Sequence, residues 1–130
     1  MVRFLTDEWI AALDDAAREA SVPAGVTLTI QQIVTGGADG DAGGGDVRYH
    51  LVLADGRLRV QPGDAAAADV TLVQSREVAA ALSRGELNAQ QALEAGRLKL
   101  RGDVGHLARE GKALVALADV FAALRSTTSY

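Results

Sequence analysis

The chain has no cysteine among its 130 residues, which removes disulfides and thiolate metal sites from consideration. Aromatic residues are nearly as scarce: one Trp, two Tyr and two Phe make up 4% of the sequence. A core must therefore be assembled from Leu, Val, Ile and Ala, within a hydrophobic content of 48%. Basic residues do not dominate either. The formal net charge of -4 and a pI near 5.1 argue against sequence-independent nucleic-acid binding. No stretch of about 18 residues is both apolar and uncharged, so no membrane-spanning segment is expected. Nor does a basic segment precede an apolar run at the N-terminus, as a secretory leader would require. Histidine is limited to His50 and His106, without metal-ligand spacing. The expectation is one cytoplasmic domain over residues 1–130, working without metal or cofactor.

Against these absences stand clear local signals. "FLTDEWIAALDDAAREA" opens as a helix: Thr6 can cap, Asp7 and Glu8 suit the positive end of the helix dipole, and Leu5 is placed to staple onto Ile10. Trp9, Ile10, Leu13, Ala16, Ala17 and Ala20 then recur at helical spacing. "VTLTIQQIVT" alternates through Val26, Leu28 and Ile30 but loses phase at Gln31-Gln32 before Ile33, which predicts a strand with a bulge or a change of partner. In "VRYHLVLADGRLRVQPG", Val47, Tyr49, Leu51 and Leu53 alternate up to an Asp55-Gly56 turn, and Leu58 and Val60 return.

"ADVTLVQS" alternates again through Val70 and Leu72. Ser75 is placed to cap a short helix ending at Gly85, and Asn88 with Gln91 has capping-box spacing for another, closed by Gly96. Leu98 and Leu100 share one face of a short strand, and Asp103 can cap a final helix predicted from Val104 to Arg125. The last turns of that helix, Leu117 to Leu124, are apolar nearly all round and call for a second cover, such as a second copy of the chain. The order of elements predicts an α+β fold with an antiparallel sheet, one face buried and the other in water. Arg48, His50, Arg57, Arg59, Thr71, Arg97, Lys99 and Arg101 fall on the outward phase. Net acidity elsewhere argues against strong membrane attachment through this face.

Chemistry-bearing motifs are few. The glycine-rich stretch from Gly36 to Asp46 carries Asp39, Asp41 and Asp46, but it lacks the stacked neighbours of a calcium repeat and the terminal Glu of a helix-loop-helix calcium site. No Gly-Lys-Ser/Thr follows it, so it is not a phosphate loop. It reads as a connection. A Ser-His-Asp device would need His106 with Ser75 or Ser83, and no nucleophile-elbow sequence surrounds either serine. The chain is not expected to be an enzyme.

"ADVTLVQSREVAAALSRGELNAQQALEAGRLKLRGD" resembles the second half of the sterol carrier protein type 2 domain. The resemblance rests on an Ala-Asp-x-Thr strand, then Gly85, Leu87, Asn88, Gln91 and Ala92, then Gly96, Leu98, Lys99, Leu100, Gly102 and Asp103. Ala89 stands where the family usually has Pro, Leu93 where it often has Phe, and Asp103 where it often has Asn. The resemblance implies a five-stranded, largely antiparallel sheet covered on one face by helices, enclosing an apolar tunnel for fatty acids, acyl-CoA esters or sterols. It implies a non-enzymatic lipid carrier, here a stand-alone bacterial member, whose partner is an apolar small molecule. Expected tunnel-lining residues are Leu28, Ile30, Tyr49, Leu51, Leu53, Leu72, Leu98, Leu100, Leu114, Leu117 and Phe121, with Gln90 and Gln91 as contacts for a polar head. The alternatives at this point are an ordinary filled core, a capping role for the glutamines, and an interaction or dimerisation module of the same fold. A homodimer would form through the last helix.

Overall fold

The computed structural model describes residues 2–20, 22, 24–35 and 46–129, with side chains at all of these except 89, 90, 108, 111–116, 118 and 129. Its elements begin with β1 (Val2–Arg3), α1 (Asp7–Arg18), β2 (Leu28–Thr35), β3 (Val47–Ala54), β4 (Arg57–Pro62) and β5 (Val70–Ser75). They continue with α2 (Arg76–Arg84), α3 (Ala89–Glu94), β6 (Leu98–Gly102), α4 (Val104–Arg109) and α5 (Gly111–Leu124). A 3-10 turn (Arg125–Thr127) leads to β7 (Thr128–Ser129). Residues 36–45, which contain most of the glycine-rich stretch, lie outside the described residues.

The helix starts are built as the caps require. Thr6 Oγ1 accepts from Trp9 N at 3.2 Å, Ser75 caps α2 through Val78 N, and Asp103 caps α4 through His106 N. Leu5 and Ile10 are both buried, as a staple across the first turn of α1 demands. The Asp55-Gly56 turn has positive φ at both residues, 55° and 74°, and so matches the right-handed twist of the β3–β4 hairpin.

Five strands form one sheet in the order β4-β3-β2-β5-β6. Three of its four pairings are antiparallel, and β2–β5 is parallel. Leu28, Ile30, Val34, Tyr49, Leu51, Leu53, Leu58, Val60 and Val70 all face inward and are buried in one core with Trp9, Ile10, Leu13 and Ala17 of α1 and Leu117, Val120 and Leu124 of α5. A smaller cluster of Val78, Ala92 and Leu98 joins α2 and α3 to the β6 side.

Three expectations need correction. β2 has no bulge: its register with β3 runs unbroken from Leu28↔Leu53 to Val34↔Val47. The lost phase has another cause, because Gln32 itself occupies an inward position between Ile30 and Val34, and Ile33 points outward. The final helix is two helices. Glu110 (φ -102°, ψ 42°) leaves helical geometry, so the chain turns between α4 and α5. The outer face of the sheet is also partly covered. Gln31 Nε2 donates to Tyr49 O and Gly63 O while its Oε1 accepts from Ala65 N at 2.7 Å, and His50 Nδ1 lies 3.0 Å from Gly63 O. This strap leaves Gln31 6% exposed.

One sheet went unanticipated: β1 and β7 pair in parallel and bring the two ends of the described chain together. Among the described residues, no helix is long and apolar enough to cross a membrane.

Candidate functional site

Burial along the inner face of the sheet is uneven. Under α1, Leu28, Leu51 and Leu53 are at most 1% exposed. Across β5 and β6 the inward Leu72 and Leu100, which are direct cross-strand partners, are only half-buried. Leu107 of α4 and Phe121 of α5 pack on the same core and are half-buried too. Among the described residues, the large apolar side chains with the greatest exposure are Leu93 (44%) and Val104 (46%), on α3 and at the start of α4. The layer between sheet and helices is therefore filled most tightly on its β2–β3–β4 side, whereas on its β5–β6 side Leu72 and Leu100 keep partial exposure beside the buried Val70, Gln74 and Leu98.

The filled side holds most of the chain's aromatics. Trp9 meets Phe4 edge-on at 4.9 Å between centroids, Tyr49 edge-on at 5.8 Å, and Phe121 at 6.1 Å. Such ring contacts add about 0.5–1.5 kcal/mol each beyond area burial. Burial raises the pKa of the Tyr49 phenol, which stays neutral in the layer. Polar groups inside are few. Gln74 Nε2 donates to Gln32 Oε1 at 2.8 Å, while Gln74 Oε1 and Trp9 Nε1 are buried without a hydrogen-bond partner.

The edge beside α1 is closed by Asp14. Its carboxylate accepts from Val60 N at 2.8 Å, from Arg59 Nε and Nη2, and from Arg18 Nη2. Burial acts to raise the pKa of Asp14. The hydrogen bonds from Arg59 and Val60, the Arg59 charge and the Arg18 hydrogen bond outweigh it and hold the carboxyl below its usual value. Nearby, Arg18, Ala20 and residues 56–59 line a half-open concavity of about 370 Å³, separate from the inner layer. Among the described residues, no group of three or more His, Asp or Glu could hold a metal ion.

A family model described as the SCP-2 sterol transfer family matches residues 13–115. The chain belongs to that family. Among curated proteins, none matches it. A crystal structure of sterol carrier protein 2 is similar with a TM-score of 0.73 at 21% identity, covering 91% of this chain and 96% of that one. A conserved hypothetical protein from Thermus thermophilus, solved in solution, gives 0.73 at 20% identity over 98% of this chain and 91% of its own. The solution structure of palmitated SCP2L2 from Aedes aegypti gives 0.55 at 24% identity over 88% and 86%. These three likenesses concern the fold.

The structure gives the SCP-2 signature a physical reading. Asp69 of the Ala-Asp-x-Thr strand accepts Thr29 N through its side chain at 2.8 Å, and its backbone oxygen accepts Asp103 N at 2.8 Å. Gly102 is wedged against that same oxygen. A Cβ there would lie 2.4 Å from Asp69 O, and φ is +98°. Gly85 ends α2 in the left-handed region, beneath the Arg125 side chain, whose Nε donates to Ser83 O at 2.7 Å. The signature thus pins β2, β5 and β6 together at one rim.

Of the expected lining residues, Leu28, Ile30, Tyr49, Leu51, Leu53 and Leu117 lie in the main core. Leu98 belongs to the smaller cluster, and Leu72, Leu100 and Phe121 border the open side. The side chains of Leu114 and Gln90 lie outside the described residues. Gln91 is exposed, and its Oε1 accepts Asn88 N at 3.2 Å to complete the capping box. Sequence reasoning passed over Gln32, Gln74 and Trp9 Nε1 as inner polar groups. The broken alternation at Gln31-Gln32 was the signal that marked the first.

Proposed function

We propose that the chain is a non-enzymatic carrier, one domain over residues 1–130, acting in the cytoplasm on an apolar lipid such as a fatty acid, acyl-CoA or sterol-like molecule. The observation that carries this reading is the incomplete burial of inward-facing Leu72 and Leu100 beside the equally half-buried Leu107 and Phe121. Aliphatic side chains aimed into a core yet open to solvent gain about 25 cal/mol for each Å² of apolar surface that an occupant covers. Leu98, whose cluster packs against Leu72, extends this lining, and Ile30, Leu51, Leu53, Leu28, Tyr49 and Leu117 form its packed inner wall. The palmitated relative supports a fatty chain as one occupant. Binding needs no reacting group, and Ser75, at the end of β5, has its hydroxyl occupied as the cap of α2.

A second reading, an interaction or dimerisation module with a closed core, is favoured by one observation. The Phe4, Trp9, Tyr49 and Phe121 rings occupy the layer beneath α1. Mass measured under native and then denaturing conditions separates the two. A carrier retains a few hundred daltons of lipid that denaturation releases, or binds a fluorescent fatty acid saturably at micromolar concentration, about -8 kcal/mol. A bare native mass together with no saturable binding refutes the carrier. The same native spectrum reports whether two copies associate through the last helix.

A further inference from the structure

The inner face of the sheet carries three polar side chains among the described residues: Gln32, Tyr49 and Gln74. They are contiguous. Gln32 stands opposite Tyr49 on β3 and opposite Leu72 on β5, and Gln74 reaches Gln32 through the 2.8 Å amide bond. Both glutamines are more than nine-tenths buried, at 6% and 7% exposure. A buried amide pair is tolerated when its groups are satisfied, and an orphaned carbonyl oxygen in an apolar layer is costly. Gln74 Oε1 is such an oxygen. Exchanging O and N in one amide alone would set like atoms against each other and break the 2.8 Å bond, whereas exchanging both reverses it and moves the spare carbonyl oxygen to Gln32, so the pair keeps one such acceptor and further N–H groups.

We propose that the Gln32–Gln74 pair is an internal recognition site for a neutral hydroxyl group on an otherwise apolar ligand. The proposal rests on the carrier reading and specifies its ligand class. The hydroxyl donates to Gln74 Oε1 and accepts from an amide N–H of the pair; Trp9 Nε1, on the ring that meets Tyr49, is a second unpartnered donor in the same layer. The alkyl body then runs along the Leu72–Leu100 pair, which adjoins Gln74 in the ladder, toward the open side. An ionised carboxylate fits poorly. It brings no proton to Gln74 Oε1, and the inner face of the sheet offers no cation among the described residues. The cation at the rim, Arg76, stands over the Phe4 ring at 5.6 Å. The polar end of the ligand therefore enters first, and the exposed Gln91 has no part in holding it.

Displacement of Nile red by 1-decanol, methyl decanoate and decanoate at pH 8 tests this. The wild-type chain is expected to bind decanol about tenfold more tightly than either other probe, the scale of one satisfied internal hydrogen bond. The double variant Gln32→Met, Gln74→Met should bring decanol to within about twofold of the methyl ester. Should that variant not fold, the side-chain amide resonances of Gln32 and Gln74 in the wild type must still shift on saturation with decanol. Equal affinity for the three probes, a preference for decanoate, or unmoved amide resonances overturns the hydroxyl site and leaves the carrier standing. No saturable displacement by any probe overturns both.

Discussion

Replacing Leu100 with Trp distinguishes an open inner layer from a filled one, and Leu51→Trp is its internal control. Both leucines face the layer between sheet and helices, but Leu51 is 1% exposed and Leu100 is half-buried. Forcing an indole into the packed site at Leu51 should cost about 1–3 kcal/mol. For a chain of this length, about 4 °C of Tm follows each kcal/mol, so a fall of about 4–12 °C is expected. At Leu100 the ring can extend into the open side, and Tm should stay within about 2 °C. The consequence for binding is the reverse. If the indole takes the place of about three ligand methylenes at about 0.8 kcal/mol each, affinity for a fatty-chain probe drops by about 2.4 kcal/mol, or about sixtyfold. Thermal melts and probe titration of the two variants provide both numbers. Leu100→Trp melting as low as Leu51→Trp would show that the β5–β6 side is filled. A stable Leu100→Trp with unchanged lipid affinity would place the ligand elsewhere, and either result refutes the reasoning.

Two further outcomes follow from the frame of the domain. The lowered pKa of Asp14 means that its stabilising contribution is complete above the ordinary Asp value of about 3.9 and is lost as pH falls through the lower folded value. Asp14→Asn should therefore cost about 1–3 kcal/mol at pH 6 and lose less stability than the wild type on acidification; denaturant melts giving parallel pH curves would contradict this. Gly102→Ala places a methyl 2.4 Å from Asp69 O at a φ of +98° and should cost at least about 2 kcal/mol, read as a Tm fall of about 8 °C or more. A shift below about 2 °C would mean that the Asp69 contact gives way freely.

Much of this frame was legible because it is local. The caps at Thr6, Ser75, Asn88 and Asp103, the Asp55-Gly56 turn and the alternation of β3 and β4 each follow from residues within a few positions of one another. What stayed hidden depends on distant partners. Gln32 interrupts an apolar strand because Gln74, 42 positions on, bonds it, and Asp14 is tolerated on a buried helix face because Arg59 and Val60 arrive from 45 and 46 positions away. The strap over Gln31 is of the same kind. The two-residue strands β1 and β7 are too short to show any period. Gly111 inside the helix predicted from Val104 to Arg125 is equally a place where two helices can separate, and the backbone of Glu110 decides for the break.

The few aromatics are concentrated in one place. Four of the five, Phe4, Trp9, Tyr49 and Phe121, meet around a single indole. Rings of this kind bury about 150–250 Å² each, so much of the chain's large-volume burial is concentrated on one side of the layer. That side also has its edge sealed by Asp14 against Val60. The β5–β6 side is held differently. Its strongest fixtures are polar and backbone contacts at the rim, namely Asp69 on Thr29, Asp103 on Asp69, and Gly102 against Asp69. A rim held by hydrogen bonds and a close glycine contact does not need the space behind it to be filled. On the carrier reading, this gives the Asp and Gly positions of the family signature a role beside its leucines: they frame a space whose filling is left to the ligand. Substitutions in the rim should then change stability and lipid affinity together.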